Sequence, residues 1–314
     1  KQYLLKNMLI SKFYPLKRGI KLESKLLLGK EVSASLTKEL SSLISELKSL
    51  KITPKLAAIL IGDNPASQIY VNSKAKFFAK NNCDSETFRF DLGASEQEVL
   101  KCIESLNQDD SVHGILVQLP LPKEFNDEKI LSAISPQKDV DGFHPYNVGK
   151  LFSGDPGFVP CTPNGIIKIL DYYNIETSGK DCVVIGRSNI VGKPMFALLS
   201  QKFDRGNATV SMCHSRTKDL KSYTAKADII VSAIGVPNFL KEDMVKQGAV
   251  VIDVGINRVE DSSSKKGYRI VGDVDLDSMI EKVSYITPVP GGVGPMTITM
   301  LLYNTVKSAN SKIV

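Results

Sequence analysis

Residues 182–194 read Cys182-Val-Val-Ile-Gly186-Arg187-Ser188-Asn189-Ile190-Val191-Gly192-Lys193-Pro194. Four apolar residues end at a glycine and a polar loop follows. A second glycine then opens a stretch of helical character at 193–200, with proline tolerated in its first turn. This predicts a strand, a glycine-flanked loop and a helix in succession. That arrangement aims backbone N–H groups and the positive end of a helix dipole at a phosphate. Only Gly186 and Gly192 are present, so the G-x-G-x-x-G fingerprint is absent, and taken alone the stretch also fits a plain βα turn.

The next apolar run, Thr209–Cys213, strengthens the nucleotide reading and sharpens it. In NAD-binding folds an acid about 20 residues on from the glycine loop holds the ribose 2′-hydroxyl. Here the run ends in His214-Ser215-Arg216-Thr217, which offers hydroxyls and a cation and no acid. A carboxylate would repel a 2′-phosphate, whereas Arg187, Ser215 and Arg216 can bind one through charge-assisted hydrogen bonds. The pattern points to NADP rather than NAD, the alternative being that Arg216 is a solvated surface cation.

Working outward, short apolar runs alternate with helical patterns. Strands are predicted at Lys55–Ile61, Thr87–Leu92, His113–Gln118, Ile229–Ala233, Val250–Val254 and Val283–Ile286. Helices are predicted at about 30–50, from Asn64-Pro65 to about 81, at 95–106, 127–134 and 165–173, and from Met296 to Lys307. Asn64-Pro65 supplies an N-cap and first-turn proline, and Ser95-x-x-Glu98 is a capping box. Near-continuous apolar strands between helices indicate parallel sheets covered on both faces, an α/β fold. The chain of 314 residues suggests two domains at roughly 100–200 residues each. A Gly-, Pro- and Asp-rich stretch at 139–163 marks the crossing between them.

The composition excludes several classes. No run of about 18 apolar residues exists, so no bilayer-spanning helix is expected. The net charge of +6 suggests a polyanionic partner until it is located. Six of the 40 Lys and Arg residues lie in residues 1–21, which hold no acid, leaving 34 basic residues against 34 acids. The body is neutral, and no nucleic-acid or membrane partner is expected. The basic, apolar tail reads either as an organelle-targeting segment or as an ordinary terminus, so a cytoplasmic or a mitochondrial location is expected. The five cysteines (83, 102, 161, 182 and 213) lack C-x-x-C spacing and read as reduced, mostly structural thiols. His113, His144 and His214 lack metal-ligand spacing, so no metal is expected.

Four further features carry candidate chemistry. Tyr70 and Lys74 are spaced i,i+4 on one predicted helical face, a spacing that also fits a snorkelling surface lysine. Gln118-Leu119-Pro120 stands at the carboxyl end of a buried strand, where open α/β sheets bind ligands. Asp139-Val-Asp141-Gly142 lies in the crossing loop, where paired acids before glycine usually mean a turn. Lys74, Gln118 and Asp141 are expected to converge on an interdomain cleft. Finally, Thr287-Pro-Val-Pro290-Gly291-Gly292-Val-Gly294-Pro-Met-Thr297 packs three prolines and three glycines into eleven residues, a loop able to bring backbone close to a ligand.

These motifs together resemble the methylenetetrahydrofolate dehydrogenase/cyclohydrolase family. The matching stretches are Tyr70-Val-Asn-Ser-Lys74, Gly114-Ile-Leu-Val-Gln118-Leu-Pro, Lys138-Asp-Val-Asp141-Gly142, Pro160-Cys-Thr-Pro163, Gly186-Arg-Ser188 with Val191-Gly-x-Pro194, Asp253-Val-Gly-Ile-Asn257, Gly272-Asp-Val274 and Pro290–Thr297. They span roughly residues 27–310. The resemblance implies NADP-dependent oxidation of 5,10-methylenetetrahydrofolate and hydrolysis of the methenyl product to 10-formyltetrahydrofolate. It implies Lys74 as the proton-transfer group, Gln118 as its tuning partner, Tyr70 as a stacking residue and Asp141 as the pterin anchor. Leu119, Pro290, Gly291 and Gly292 are expected beside the folate. Gly186, Arg187, Ser188, Val191, Gly192, His214, Ser215, Arg216, Ile256 and Thr297 are expected beside NADP.

The implied architecture has an N-terminal substrate domain (27–160 plus 288–314) and a Rossmann-like NADP-binding domain (161–287), after an extension at 1–26. The active-site cleft is expected between the two, and a homodimer through the cofactor domains. With the chain ending at Val314, the bifunctional rather than the trifunctional form is expected. The sequence departs from the family pattern in its first 21–26 residues, in a lengthened link at Gln201–Gly206, and at Thr299, where alanine is common. A non-catalytic folate- or nucleotide-binding protein is the competing reading, and the intact Lys74–Gln118–Asp141 set argues against it.

Overall fold

The computed structural model describes residues 26–264 and 267–311. The expected extension lies outside the described residues, apart from Leu26. In chain order the first half holds α1 (Gly29–Ser49), β1 (Lys55–Ile61), α2 (Pro65–Lys80), β2 (Asp84–Phe90), α3 (Glu96–Gln108), β3 (Gly114–Val117), α4 (Asp127–Ser132) and α5 (Pro145–Phe152). Then come α6 (Cys161–Tyr172), β4 (Asp181–Ile185), α7 (Gly192–Ser200), β5 (Thr209–Cys213), α8 (Leu220–Thr224), β6 (Ile229–Ser232) and β7 (Val250–Asp253). The chain closes with β8 (Asn257–Glu260), β9 (Tyr268–Val271), α9 (Leu276–Met279), β10 (Tyr285–Ile286) and α10 (Val293–Asn310).

Two parallel sheets result. The first has the order β2-β1-β3 and the second β10-β7-β6-β4-β5. In each, the chain leaves the first strand to one side and then crosses to the other. The carboxyl ends of β1 and β3, and of β4 and β6, are therefore the switch points where open α/β sheets form their crevices. The expected α/β class with parallel sheets holds.

Strand alternation sorts the apolar residues between layers. Leu56, Ala58 and Leu60 of β1 face a core they share with Val184, Val231 and Ile252 of the second sheet, and α1, α6 and α10 fill it. Ala57, Ile59 and Ile61 face outward against Val99, Ile103 and Ile130 of α3 and α4. On the second sheet's far face Val183, Ile185, Ile230 and Val251 form a third cluster. One core thus serves both sheets, and α10 runs through it. Met296 of α10 packs against Gly165 of α6, where an added Cβ would come within 2.7 Å of the Met296 Cβ.

Three differences from the sequence reading have physical causes. Strand β2 begins at Asp84, three residues before the apolar run, because edge pairing with β1 carries Asp84, Ser85 and Glu86 into the ladder despite their polarity. Helix α6 begins at Cys161, with Pro163 held in its first turn, where its missing N–H costs nothing. The stretch read as a loop at 139–163 contains α5, opened by Pro145 and by His144, whose ring accepts from the Tyr146 N–H at 3.0 Å. The antiparallel β8–β9 hairpin was not anticipated. The Asn64 cap and the Ser95–Glu98 capping box form as read.

Replacing Gly165 by alanine is expected to destabilise the fold by about 1–3 kcal/mol through overpacking against Met296. A urea melt with unchanged m-value checks this.

Candidate active site

Lys74 sits in the middle of α2, and burial leaves it 8% exposed. Its Nζ donates to Gln118 Oε1 at 3.0 Å. Gln118 follows β3 directly, and its own Nε2 donates to the Leu119 carbonyl at 2.6 Å. The amide is thereby fixed with its oxygen toward Lys74. An amide oxygen accepts equally from an ammonium or a neutral amine, so it holds Lys74 without imposing a charge state. Burial pushes the Lys74 pKa below the ordinary lysine range, and the nearby Asp141 charge opposes that shift.

Asp141 reaches the same place from the crossing loop. Ile115 N–H donates to the Lys138 carbonyl at 2.8 Å, and Asp139 forms a parallel bridge with Ile115. Asp141 therefore lies just past a one-residue extension of the sheet beside β3. Burial raises its carboxyl and the Lys74 charge lowers it, while the nearby Cys161 thiol donates to the Val140 carbonyl at 3.4 Å. The thiol of Cys161 is itself pushed well up by burial and by Asp141.

Tyr70 lies one turn before Lys74 and stays 40% exposed, so its ring is available to a flat ligand at the mouth of the site. Leu119 is half-buried beside Gln118, Pro290 is exposed and Gly291 half-buried. Gly292 is buried, with its carbonyl against α1, where a Cβ on Gly29 would fall 1.8 Å from Gly292 O. Thr297 shares a 2.8 Å hydroxyl–hydroxyl bond with Thr162.

The second crevice lies at the ends of β4 and β6. Gly186 adopts a φ of +123°, and a Cβ there would come within 2.4 Å of Ala233 O. Only glycine lets these two strand exits close together. Arg187 and Ser188 are exposed on the loop. Here the expectation of free helix amides is corrected. Ser188 Oγ accepts from the N–H groups of Val191 at 3.1 Å and Gly192 at 3.3 Å, and Lys193 N–H donates to the Ser188 carbonyl. The first amides of α7 are thus occupied, and a phosphate at this loop would meet Arg187 and Ser188 instead.

After β5, His214 to Thr217 form a turn, with Thr217 N–H on the His214 carbonyl at 2.8 Å. The His214 Nδ1 accepts from the Arg216 N–H at 3.2 Å, which places any ring proton on Nε2. The side chains of Ser215 and Arg216 project to solvent, and no carboxylate pairs with Arg216 among the described residues. Ile256 is half exposed beyond β7, and a Cβ on Gly294 would lie 3.9 Å from its Cδ1. That contact brings the rim of the nucleotide sheet up to the Pro290–Thr297 segment. The residues present fit a dinucleotide: a close glycine turn at a switch point, exposed cations for phosphate, and apolar rims.

Several supporting residues were not singled out as site residues from sequence. Asp139 accepts from Phe143 N–H, His144 N–H and Asn147 Nδ2 at 3.2, 2.8 and 2.8 Å. Lys138 is buried and its Nζ donates to the Leu106 and Asp109 carbonyls, closing the end of α3. Asn304 of α10 donates to the carbonyls of Val140 and Val159 at 2.8 and 3.1 Å, gripping the chain on both sides of the Asp141–Cys161 pair. Asp139 and Lys138 fall inside a quoted motif, whereas no sequence signal marks Asn304. A concavity of about 520 Å³ between α1 and the end of α2, lined by Lys30, Thr37, Phe77 and Asn81, contains none of these groups.

Fold and site define a two-sheet α/β protein of dehydrogenase type, with a close glycine turn at the switch point of the second sheet and a buried lysine beside the first. Two family models match: the tetrahydrofolate dehydrogenase/cyclohydrolase catalytic domain over residues 27–141, and the NAD(P)-binding domain of the same family over residues 160–313. The bifunctional protein FolD of Chlorobium phaeobacteroides is 53% identical over 283 residues, covering 89% of this chain and 96% of that protein. The crystal structure of the bifunctional FolD enzyme from Campylobacter jejuni aligns with a TM-score of 0.86 at 53% identity, over 91% of this chain and 99% of that one. The Trypanosoma brucei FolD structure, complexed with NADP cofactor and inhibitor, aligns with a TM-score of 0.86 at 36% identity, over 92% of this chain and 98% of that one. The chain therefore belongs to the tetrahydrofolate dehydrogenase/cyclohydrolase family and is a bifunctional NAD(P)-dependent methylenetetrahydrofolate dehydrogenase and cyclohydrolase. Among the described residues no helix is long and apolar enough to cross a membrane.

Selective ¹⁵N labelling should show the Lys74 amine titrating below the ordinary lysine value. Gln118→Glu places an anion at the 3.0 Å position, favours the ammonium, and is expected to move that titration up by about one to three units.

Proposed function

We propose that Lys74, tuned by Gln118, handles the protons of both reactions at one folate site, with Asp141 anchoring the pterin and Tyr70 stacking on it. The observation that carries this reading is a buried lysine whose Nζ contacts a fixed neutral acceptor at 3.0 Å. Bound NADP would supply the hydride acceptor for oxidation of the methylene carbon. Arg187, Ser188, Ser215 and Arg216 would hold its phosphates, and Gly186, Val191, Gly192, His214, Ile256 and Thr297 would shape its bed. Leu119, Pro290, Gly291 and Gly292 would line the folate side.

In the hydrolytic step water attacks the methenyl carbon and the bond from that carbon to N5 breaks. The formyl group stays on N10. Lys74 in its neutral form takes one proton from the attacking water, and its ammonium returns it to N5. The second water proton leaves the hydroxyl to solvent as the formyl C=O forms, the net proton released by the cationic methenyl substrate. A lysine shifted downward has both forms accessible nearer neutral pH, as a general acid–base group requires.

The cofactor choice rests on the hydroxyl and cation set after β5, with no acid at the His214–Thr217 turn. The NADP complex of the T. brucei relative agrees with it. For the domains we propose 27–160 plus 288–314 and 161–287. Support comes from α10, whose Asn304 and Ser308 bond the chain at Val140, Val159 and Gln137. A homodimer through the cofactor domains completes the reading, and the bacterial relatives favour a cytoplasmic over an organellar site of action.

Lys74→Met should abolish methenyl hydrolysis, followed by loss of the methenyl absorbance, and full retention would remove Lys74 from its role. Arg216→Ala should raise the KM for NADP by about tenfold or more while leaving the KM for NAD near the parent value, because a charge-assisted phosphate contact contributes about 1.5–3 kcal/mol. A parent enzyme that prefers NAD would overturn the 2′-phosphate reading.

A further inference from the structure

The motifs Asp253-Val-Gly-Ile-Asn257 and Gly272-Asp-Val274 hold two buried carboxylates outside the catalytic set. Asp273 is fully buried. Its Oδ2 accepts from the Ile234 and Gly235 N–H groups at 2.8 and 3.2 Å and from Ser232 Oγ at 3.5 Å. Its Oδ1 accepts from the Val236 N–H at 3.0 Å and from Asn257 Nδ2 at 2.9 Å. Five donors converge on one side chain, three of them consecutive amides of the loop that leaves β6.

Asp253, at the end of β7, holds Asp273 in turn. Its Oδ1 accepts from the Gly255 and Asp273 N–H groups, both at 2.9 Å, and its Oδ2 accepts from Val274 N–H at 3.0 Å. The packing admits no side chain at the neighbouring glycines. A Cβ on Gly255 would fall 2.2 Å from Asp273 Oδ1, and one on Gly272 would fall 1.7 Å from Asp253 Oδ2.

The two loops fixed in this way are the exits of β6 and β7. The first, at Ile234–Val236, directly follows Ala233, against which Gly186 closes. The second carries Ile256, which reaches Gly294. Both edge the nucleotide crevice, and Val236 and Ile256 present exposed apolar side chains there.

We propose that Asp273, seated by Asp253, is a positioning residue for the dinucleotide: it presets the β6 and β7 exit loops as one rigid rim on which the cofactor's apolar parts rest. The inference rests on the assignment of that crevice to NADP. A neutral isostere at 273 turns an NH₂ group toward amide donors, so part of the convergence is lost and the loops loosen. Preset loops spare the cofactor the ordering cost on binding, and loosened ones charge it to affinity. The hydrogen-bond partners of Asp273 include neither Lys74 nor any residue assigned to the folate side, so the hydrolytic step, which uses no redox cofactor, is insulated from it.

The test is Asp273→Asn in the full-length enzyme, with both activities and direct NADP binding by calorimetry. The expected result is a rise of tenfold or more in the Kd and KM for NADP, with hydrolysis within threefold of the parent. NADP affinity within twofold of the parent would overturn the proposal, as would a parallel fall in both activities with a folded variant. Where Asp273→Asn does not fold, Asn257→Ala, which deletes one of the five donors, carries the test with an expected threefold rise in Kd. A parent that binds no NADP would instead strike the crevice assignment itself, so the two failures are distinguishable.

Discussion

The structure turns on the burial of one ammonium group. Removing a lysine Nζ from water is unfavourable unless the site supplies partners or lets the group shed its proton. Lys74 receives both concessions: a single amide oxygen at 3.0 Å and a depressed proton affinity. A carboxylate in place of Gln118 would hold the lysine more tightly and leave it permanently charged. A neutral acceptor keeps it in place and lets it exchange a proton. The position of every neighbouring element follows from keeping that contact dry and aligned.

Alignment is a matter of topology before it is a matter of side chains. Lys74 rides on the helix after β1, Gln118 stands at the end of β3, and β1 pairs directly with β3. The switch in strand order thus brings the middle of that helix and the strand exit to one edge. Asp141 arrives by the one-bridge extension at Asp139. The C-terminal helix then locks the arrangement from behind, because Asn304 bonds the carbonyl just before Asp141 and the carbonyl two residues before Cys161. The catalytic edge therefore depends on the last helix as much as on the first sheet.

Much of this was legible in the sequence, for identifiable reasons. Apolar runs located β1, β3, β4, β6 and β7 closely, because buried strands are written as near-continuous Val, Ile, Leu and Ala, while the edge strand β5 is only partly buried. The edge strand β2 was read late at its start, since one side of an edge strand tolerates Asp84 and Glu86. Helix α5 was hidden by flanking Gly, Pro and Asp, residues that also cap and open helices. The pairing of Lys74 with Gln118 was expected from their motifs, yet the orientation of the amide depends on the Leu119 carbonyl and has no sequence signature. Asn304 was invisible, because its partners are backbone carbonyls far away in the chain.

The acids show most clearly what sequence leaves undetermined. Asp139 and Asp141 stand two residues apart around a single valine, and nothing in their spacing says which one meets the ligand. Their hydrogen bonds differ. Asp139 takes three donors from Phe143, His144 and Asn147, Asp253 takes three, and Asp273 takes five. A carboxylate offers about four lone-pair sites, so these three acids are largely saturated by the fold and have little left to give a ligand. Asp141 faces the Lys74 charge, and the neighbouring Cys161 thiol donates to the Val140 carbonyl instead, so its acceptor capacity is less filled by the fold. The carboxylates in this chain thus differ in how many of their lone pairs the protein has already filled. That distinction follows from three-dimensional donor geometry, and two aspartates in one motif can fall on opposite sides of it.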